Sequence, residues 1–432
     1  MSLLLQHADI LIRTKNGYET IRGGYLGVEG DRISYIGASA PQKSFDETRD
    51  LSGKLLMPGL VNCHSHIAMV LMRGKGSGLP LHEWLFDTIF PIEDRLVRED
   101  IAAASRFAIM EMLESGTTSF SDMYFFPEET VRAVAETGIR ANLNRCVQCF
   151  DENETVEQNR QIKESIALYE QYHGAAGGRI HIDFSIHAEY TCKSHIVRAY
   201  SEKCLERGGR MHIHLSETQR EVAECRERYG MSPVEWFESL GTFESPTAAA
   251  HCVALSDRDR DILRAHGVSV VHNPTSNLKL GSGFMDLEAL RERGINIALG
   301  TDGAASNNNL NMFEEMHIAS LLHKGARLDP TAAPDAQIID MATRNGALAQ
   351  GRSDIGVLET GRKADLIAID LSHTHLYPNF DSAALVTSSA QAGDVCLTMV
   401  DGKILYENGE FKTFDADRVR SEMRAAVARL YR

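Results

Sequence analysis

Between Leu60 and Gly300, short apolar runs and amphipathic stretches alternate eight times. The runs are Leu60–His64, Thr117–Asp122, Ala141–Val147, Ile180–His187, Arg210–His214, Thr247–Cys252, Val268–His272 and Ile295–Gly300. Helical periodicity lies between them, clearest at Ile101–Ser115, Val156–His173 and His195–Arg207. Eight strand–helix units predict an α/β fold, a closed parallel (β/α)8 barrel of the TIM type. An open doubly wound sheet would carry a glycine-rich phosphate loop after its first strand. Here that position holds His64 and His66.

The barrel is expected over residues 58–355, closed by Phe313–Ala326 and by the stretch from Pro334 to Ala349. Residues 1–57 and 356–432 read as strands, with turns at Gly30-Asp31 and Asp401-Gly402. Neither piece makes a stable sheet alone. They are expected to pair into one small β-sandwich domain built from both chain ends. From about Asp417, Val419, Met423, Val427 and Leu430 recur at helical spacing and predict an amphipathic terminal helix.

The net charge of −15 argues against nucleic acid and anionic membrane as partners, since both need a basic footprint. No apolar run reaches the ~18 residues of a membrane span. Eight cysteines in 432 residues, with no secretory leader ahead of them, fit a reduced, cytoplasmic setting. Cys146 and Cys149 form a lone C-x-x-C and are read as structural.

In such a barrel, catalytic groups stand at the C-terminal ends of the strands. His64 and His66 end strand one, His187 strand four, His214 strand five with Glu217 three residues on, His251 strand six, His272 strand seven and Asp302 strand eight. Two residues apart on a strand, His64 and His66 share a face. His64, His66, His214 and Asp302 are the expected ligands of one divalent ion, which would lower the pKa of its water from about 15.7 toward ~7. Zinc is favoured, and iron(II) is the alternative. Strand four ends Ile186-His187-Ala188, with no lysine to bridge a second ion. Glu217 and Asp302 flank the water, and Glu217 protonates a ring nitrogen. His251 stabilises charge at the tetrahedral centre. His212 is read as barrel packing, and His272 is left out of the site. His181, His195, His266, His317 and His323 are read as structural.

With Pro58–His66, His214-Leu-Ser-Glu217, Ala250-His-Cys-Val253, His272–Gly281 and Gly300-Thr-Asp-Gly303, the chain resembles the amidohydrolase superfamily over nearly its whole length. Glu83-Trp-Leu85 and Pro91-Ile-Glu-Asp94 make it similar to the 5′-methylthioadenosine/S-adenosylhomocysteine deaminases. The resemblance implies hydrolysis of a C–N bond in a cyclic amidine, the adenine ring of a nucleoside, giving the inosine analogue. It implies that Glu93 binds the ribose hydroxyls, that Trp84 shapes the pocket, and that Arg145, His187 and Glu217 contact substrate. Arg145 would pair with a carboxylate on the 5′ tail. Gly78–Leu81 would belong to a lid. Homo-oligomers enter by analogy only. The loop His187-Ala-Glu-Tyr190 departs from the usual small-Pro-Tyr form. Glu189 is expected to add a negative charge there, which leaves the 5′ substituent open. The rivals are a guanine, 8-oxoguanine, pterin or triazine hydrolase of the same superfamily, and a silent barrel with a binding role.

Overall fold

The computed structural model describes residues 2–432. All eight expected barrel strands form, in sequence order and parallel: Leu60–Ser65, Thr117–Tyr124, Arg140–Val147, Ile180–Ile182 continued by Phe184–Ile186, Met211–Leu215, Thr247–His251, Ser269–His272 and Ile297–Leu299. The fourth is broken at Asp183, whose amide still bonds Leu143 O at 2.9 Å. Its first half pairs with strand three alone, while its second half pairs with strands three and five. Every residue of strands one, two and five is buried, as parallel strands under a helical layer must be.

Strand one shows how the alternation works. Val61 and Cys63 point outward onto the helix Arg344–Ala349, so closely that a Cβ on Gly346 would lie 2.9 Å from Val61. Asn62 and His64 point inward. The seam between strands eight and one has no regular ladder. It is closed instead by Asp302 N–H to His64 O at 2.9 Å and by the Asn62 amide, which bonds both N–H and Oγ1 of Thr301.

The terminal segments meet in one nine-stranded mixed sheet. Lys54–Pro58 from the N-terminal side pairs antiparallel with Leu366–Asp370 from the C-terminal side, Leu56 opposite Ala368. Both expected turns are present, joining Gly17–Glu29 to Arg32–Gly37 and Val395–Val400 to Lys403–Glu407. A buried cluster binds this sheet to the barrel floor. Arg140, first residue of strand three, forks onto Asp365 at 2.8 and 2.9 Å and reaches Asp401 at 2.8 Å.

The terminal helix runs Ala416–Leu430. It buries Val419, Met423, Ala426 and Leu430, while Val427 is 37% exposed. The buried stripe thus passes through Ala426 and not Val427. The helix packs on Arg98–Glu114, and Tyr431 Oη–H donates to Leu71 O at 3.0 Å. One helix absent from the sequence expectation, Gln219–Tyr229, starts at a Thr218 cap on Glu221 N–H. No helix of the described residues is long and apolar enough to cross a membrane.

Arg140→Ala would strand the buried Asp365 carboxylate, a loss of about 3–5 kcal/mol for a broken buried pair. Denaturant unfolding should show a lower midpoint with an unchanged slope, the slope reporting surface exposed on unfolding.

Candidate metal centre and active site

Five side chains converge at the C-terminal mouth of the barrel. His64 Nε2 and His66 Nε2 lie 3.4 and 3.2 Å from Asp302 Oδ1. His66 Nε2 and His214 Nε2 are 3.2 Å apart. One donor atom from each of His64, His66 and His214, and likewise of His64, His251 and Asp302, falls within 4.8 Å of the others. All five residues are buried.

Each imidazole is held from behind. His66 Nδ1 donates to Met123 O at 2.6 Å, His214 Nδ1 to His187 O at 2.7 Å and His251 Nδ1 to Asn277 Oδ1 at 2.8 Å. His64 Nδ1 meets His212 Nε2 at 3.0 Å. Fixing the proton on Nδ1 leaves the Nε2 lone pair facing inward, the usual support of a metal-ligating histidine. Asp302 Oδ2 accepts from Ser276 Oγ at 2.7 Å and Ser306 Oγ at 2.8 Å, which leaves Oδ1 for the centre. His64 Nε2 is buried without a hydrogen-bond partner.

The electrostatics ask for a cation. Burial pushes His64 down to about 4, and burial with its neighbouring imidazoles holds His214 well below the usual histidine range. His66 goes the other way, to about 9: burial opposes its charge, but Asp302 Oδ1 outweighs that cost. Positive charge beside Asp302 is therefore favoured here, and a divalent ion would supply it. Three imidazole nitrogens and one carboxylate oxygen fit such an ion.

The backbone is bent to serve these groups. Ser216, His251, Cys252 and Asp302 take φ of 49°, 72°, 50° and 63°. Non-glycine residues in this region cost energy and cluster at functional sites. Glu221, missed in the sequence reading, pins the first of these bends by accepting Ser216 N–H at 3.0 Å and Glu217 N–H at 2.7 Å. Burial raises the Glu217 carboxyl above the ordinary range, and its Oε2 stands 3.7 Å from His251 Nε2.

Above the centre lies a concave pocket, the usual form of a small-molecule site. Its walls include Trp84, Glu93, Tyr124, His187, Tyr190 and Glu217. Trp84 and Glu93 arrive on one excursion. After His66 the chain makes a tight turn (Ile67–Met72), passes Gly74, Gly76 and Gly78, all at positive φ, and winds through Leu81–Glu93. Within it Phe90 N–H reaches Leu85 O, a wide π-type turn of the kind often found at functional sites. Burial pushes the Glu93 carboxyl up to about 7.

Two expected positions differ. Glu189 does not face the pocket: it is buried in the turn Glu189–Thr191 and paired with Arg228 at 2.7 Å. Tyr190 takes the pocket-facing place. Arg145 lies in an adjoining groove that shares Phe125 and Gln148 with the pocket, and its Nε donates to Glu164 at 2.8 Å. His272 stands outside the centre, 3.1 Å from His323. All eight cysteines are free, and Cys146 lines the pocket.

The chain belongs to the amidohydrolase family, whose sequence model matches residues 55–405. It is 42% identical, over the full length of both chains, to a 5-methylthioadenosine/S-adenosylhomocysteine deaminase of Acetivibrio thermocellus. It is also 42% identical to a 5′-deoxyadenosine deaminase of Methanosarcina mazei, over 98% of each chain. A crystal structure of an adenosine deaminase from Xanthomonas campestris with bound zinc superposes with a TM-score of 0.92 at 30% identity, covering 99% of this chain and 98% of that one.

His212→Leu should keep the fold but release the back of His64. Metal affinity, measured by chelator competition, should fall ~10–100-fold. An unchanged affinity would leave His212 as packing.

Proposed function

We propose that the chain is a metal-dependent aminohydrolase that replaces the 6-amino group of an adenine nucleoside by oxygen. Its substrates are 5′-methylthioadenosine, S-adenosylhomocysteine or a close relative modified at the 5′ position. The products are ammonia and the inosine analogue. The observation that carries this is the sharing of one pocket by Glu93 and the histidine–aspartate centre. A carboxylate accepts two hydrogen bonds and so matches a vicinal diol. The names of the 42%-identical relatives support the same substrate class. One ion per chain, zinc first, is supported by the donor set and by the zinc in the Xanthomonas relative.

His64, His66, His214 and Asp302 are the proposed ligands. The ion, when bound, supplies Lewis acidity and a water of lowered pKa. The chain's own groups manage position and protons. Glu93 fixes the ribose, and Trp84 and His187 bound the base. Asp302 Oδ1 takes a proton from the attacking water, whose oxygen bonds C6. Glu217, whose carboxyl burial raises above the ordinary range, gives a proton to N1. His251, with Nδ1–H on Asn277, turns Nε2 toward the attacking oxygen and hydrogen-bonds it as charge develops at the tetrahedral centre. The C6–N bond then breaks. The proton on Asp302 leaves with ammonia, and the hydroxyl proton restores Glu217.

Purified enzyme should deplete the adenine absorbance of a panel of 5′-substituted adenosines; no turnover of any of them by metal-replete protein would reject the class. Because only the ionised Glu93 carboxylate offers both oxygens as full acceptors to the diol, kcat/KM should fall as pH drops through about 7. Glu93→Gln should raise KM and flatten that acidic limb; unaffected activity would remove the ribose contact. Glu217→Ala should keep the metal and lose ~10²–10⁴ in kcat, the span of general acid–base catalysis.

A further inference from the structure

The chain contains a third His-x-His, at His373 and His375, which lies outside the barrel centre. Strand Leu366–Asp370 leads into it, and strand Val395–Val400 begins one residue after Asp394. The two strands pair antiparallel with Ile369 opposite Val395, so the residues just beyond that end are brought together. His373 Nδ1 touches one oxygen of Asp394, and His375 Nε2 lies 2.9 Å from the other. The two rings stack with centroids 5.8 Å apart. One donor atom from each of the three residues lies within 4.8 Å of the other two.

Asp394 is an unusual carboxylate to find here. It is 2% exposed, yet among the described residues no lysine or arginine pairs with it. Its remaining partner is the Gln391 N–H at 2.8 Å, which fixes its rotamer. Both imidazoles are half-exposed, at 43% and 39% of the side chain, so their open side faces water. A tetrahedral site with bonds of about 2.0–2.1 Å has ligand–ligand edges of roughly 3.3 Å. The three donors lie within 4.8 Å of one another, so closing on one cation asks only for small side-chain shifts, and the exposed side of the rings leaves water free to fill the open positions.

We propose that His373, His375 and Asp394 form a second site for a divalent transition cation of the zinc class, separate from the barrel centre. Two nitrogens and one carboxylate oxygen suit such ions better than calcium or magnesium, which prefer all-oxygen sets. The site's position defines what the cation does. The segment between Asp370 and Val395 leaves the terminal sheet and carries the helix Ser382–Ser388, which packs on the barrel helices Met312–Arg327 and Asp335–Ala342. The cluster sits where this excursion leaves and returns. A cation there closes the base of the loop and removes its freedom to open, the entropic benefit of any loop-closing link.

The test uses the full chain with its barrel centre loaded and zinc alone as the probe. Equilibrium dialysis should show the wild-type protein holding about one more zinc per chain than His373→Ala/His375→Ala, with equal deaminase activity. Hydrogen exchange should slow on zinc addition in the segment between Asp370 and Val395 of the wild type, and not in the variant. Asp394→Asn, which keeps an acceptor for Gln391 N–H, serves as a second variant and should also lose the extra zinc. Equal zinc content in wild type and both variants overturns the proposal, leaving a hydrogen-bonded imidazole–carboxylate cluster. Zinc-dependent protection that persists in the variants overturns it too.

Discussion

Imidazole nitrogens with lone pairs aimed at one dry point repel one another, and a single carboxylate cannot balance them by itself. The barrel mouth is built around that constraint. The groups are buried, so the cost of each charge is high and the ordinary remedy of solvation is much reduced. Every ring therefore needs a fixed tautomer, and each is given one by a hydrogen bond from behind. His66 and His214 take theirs from main-chain carbonyls of neighbouring strands, so their tautomers are set by the sheet itself. His64 takes its support from another side chain, His212, and His251 from Asn277. Those two are the positions where a distant substitution could turn a ring of the centre.

The frame and the reactive groups were legible in the sequence because strand period and strand order are local properties. His64, His187, His214, His251 and Asp302 could be placed by counting strand ends. What could not be read was support that arrives from elsewhere in space. His212 shares a face with His214 by the same two-residue period, yet packing and orientation look alike in one dimension. Ser276 and Asn277 sit inside a run that reads as a turn. Glu189 looked like pocket charge because its neighbours are. Only the helix Gln219–Tyr229, invisible to the coarse periodicity, brings Arg228 to draw it backward. Arg145 reads as a free cation until the helix Arg160–Tyr172 delivers Glu164 from 19 residues away.

The pocket has two kinds of wall. Its floor is strand ends, rigid and set by the barrel. Its roof is the excursion that starts at His66 and carries Trp84 and Glu93. In the proposed reading, the metal-side chemistry and the nucleoside-side recognition are thus carried on one short length of chain, joined through Ile67–Met72, which the terminal helix braces through Tyr431. A single fold can in this way keep its proton chemistry while the roof is varied for different ring substituents.

The seam between the last and first barrel strands has a consequence for biosynthesis. Asn62 and Thr301, which lock that seam, are 239 residues apart in the chain. His64 and His66 leave the ribosome early, while Asp302 emerges only after all eight strands have been made. The amide of Asp302 joins the cylinder and its carboxylate completes the donor set, so the two events coincide. With the proposed ligands, capture of the ion is thereby deferred until translation has passed the eighth stave, and a truncated nascent product retains only part of that donor set.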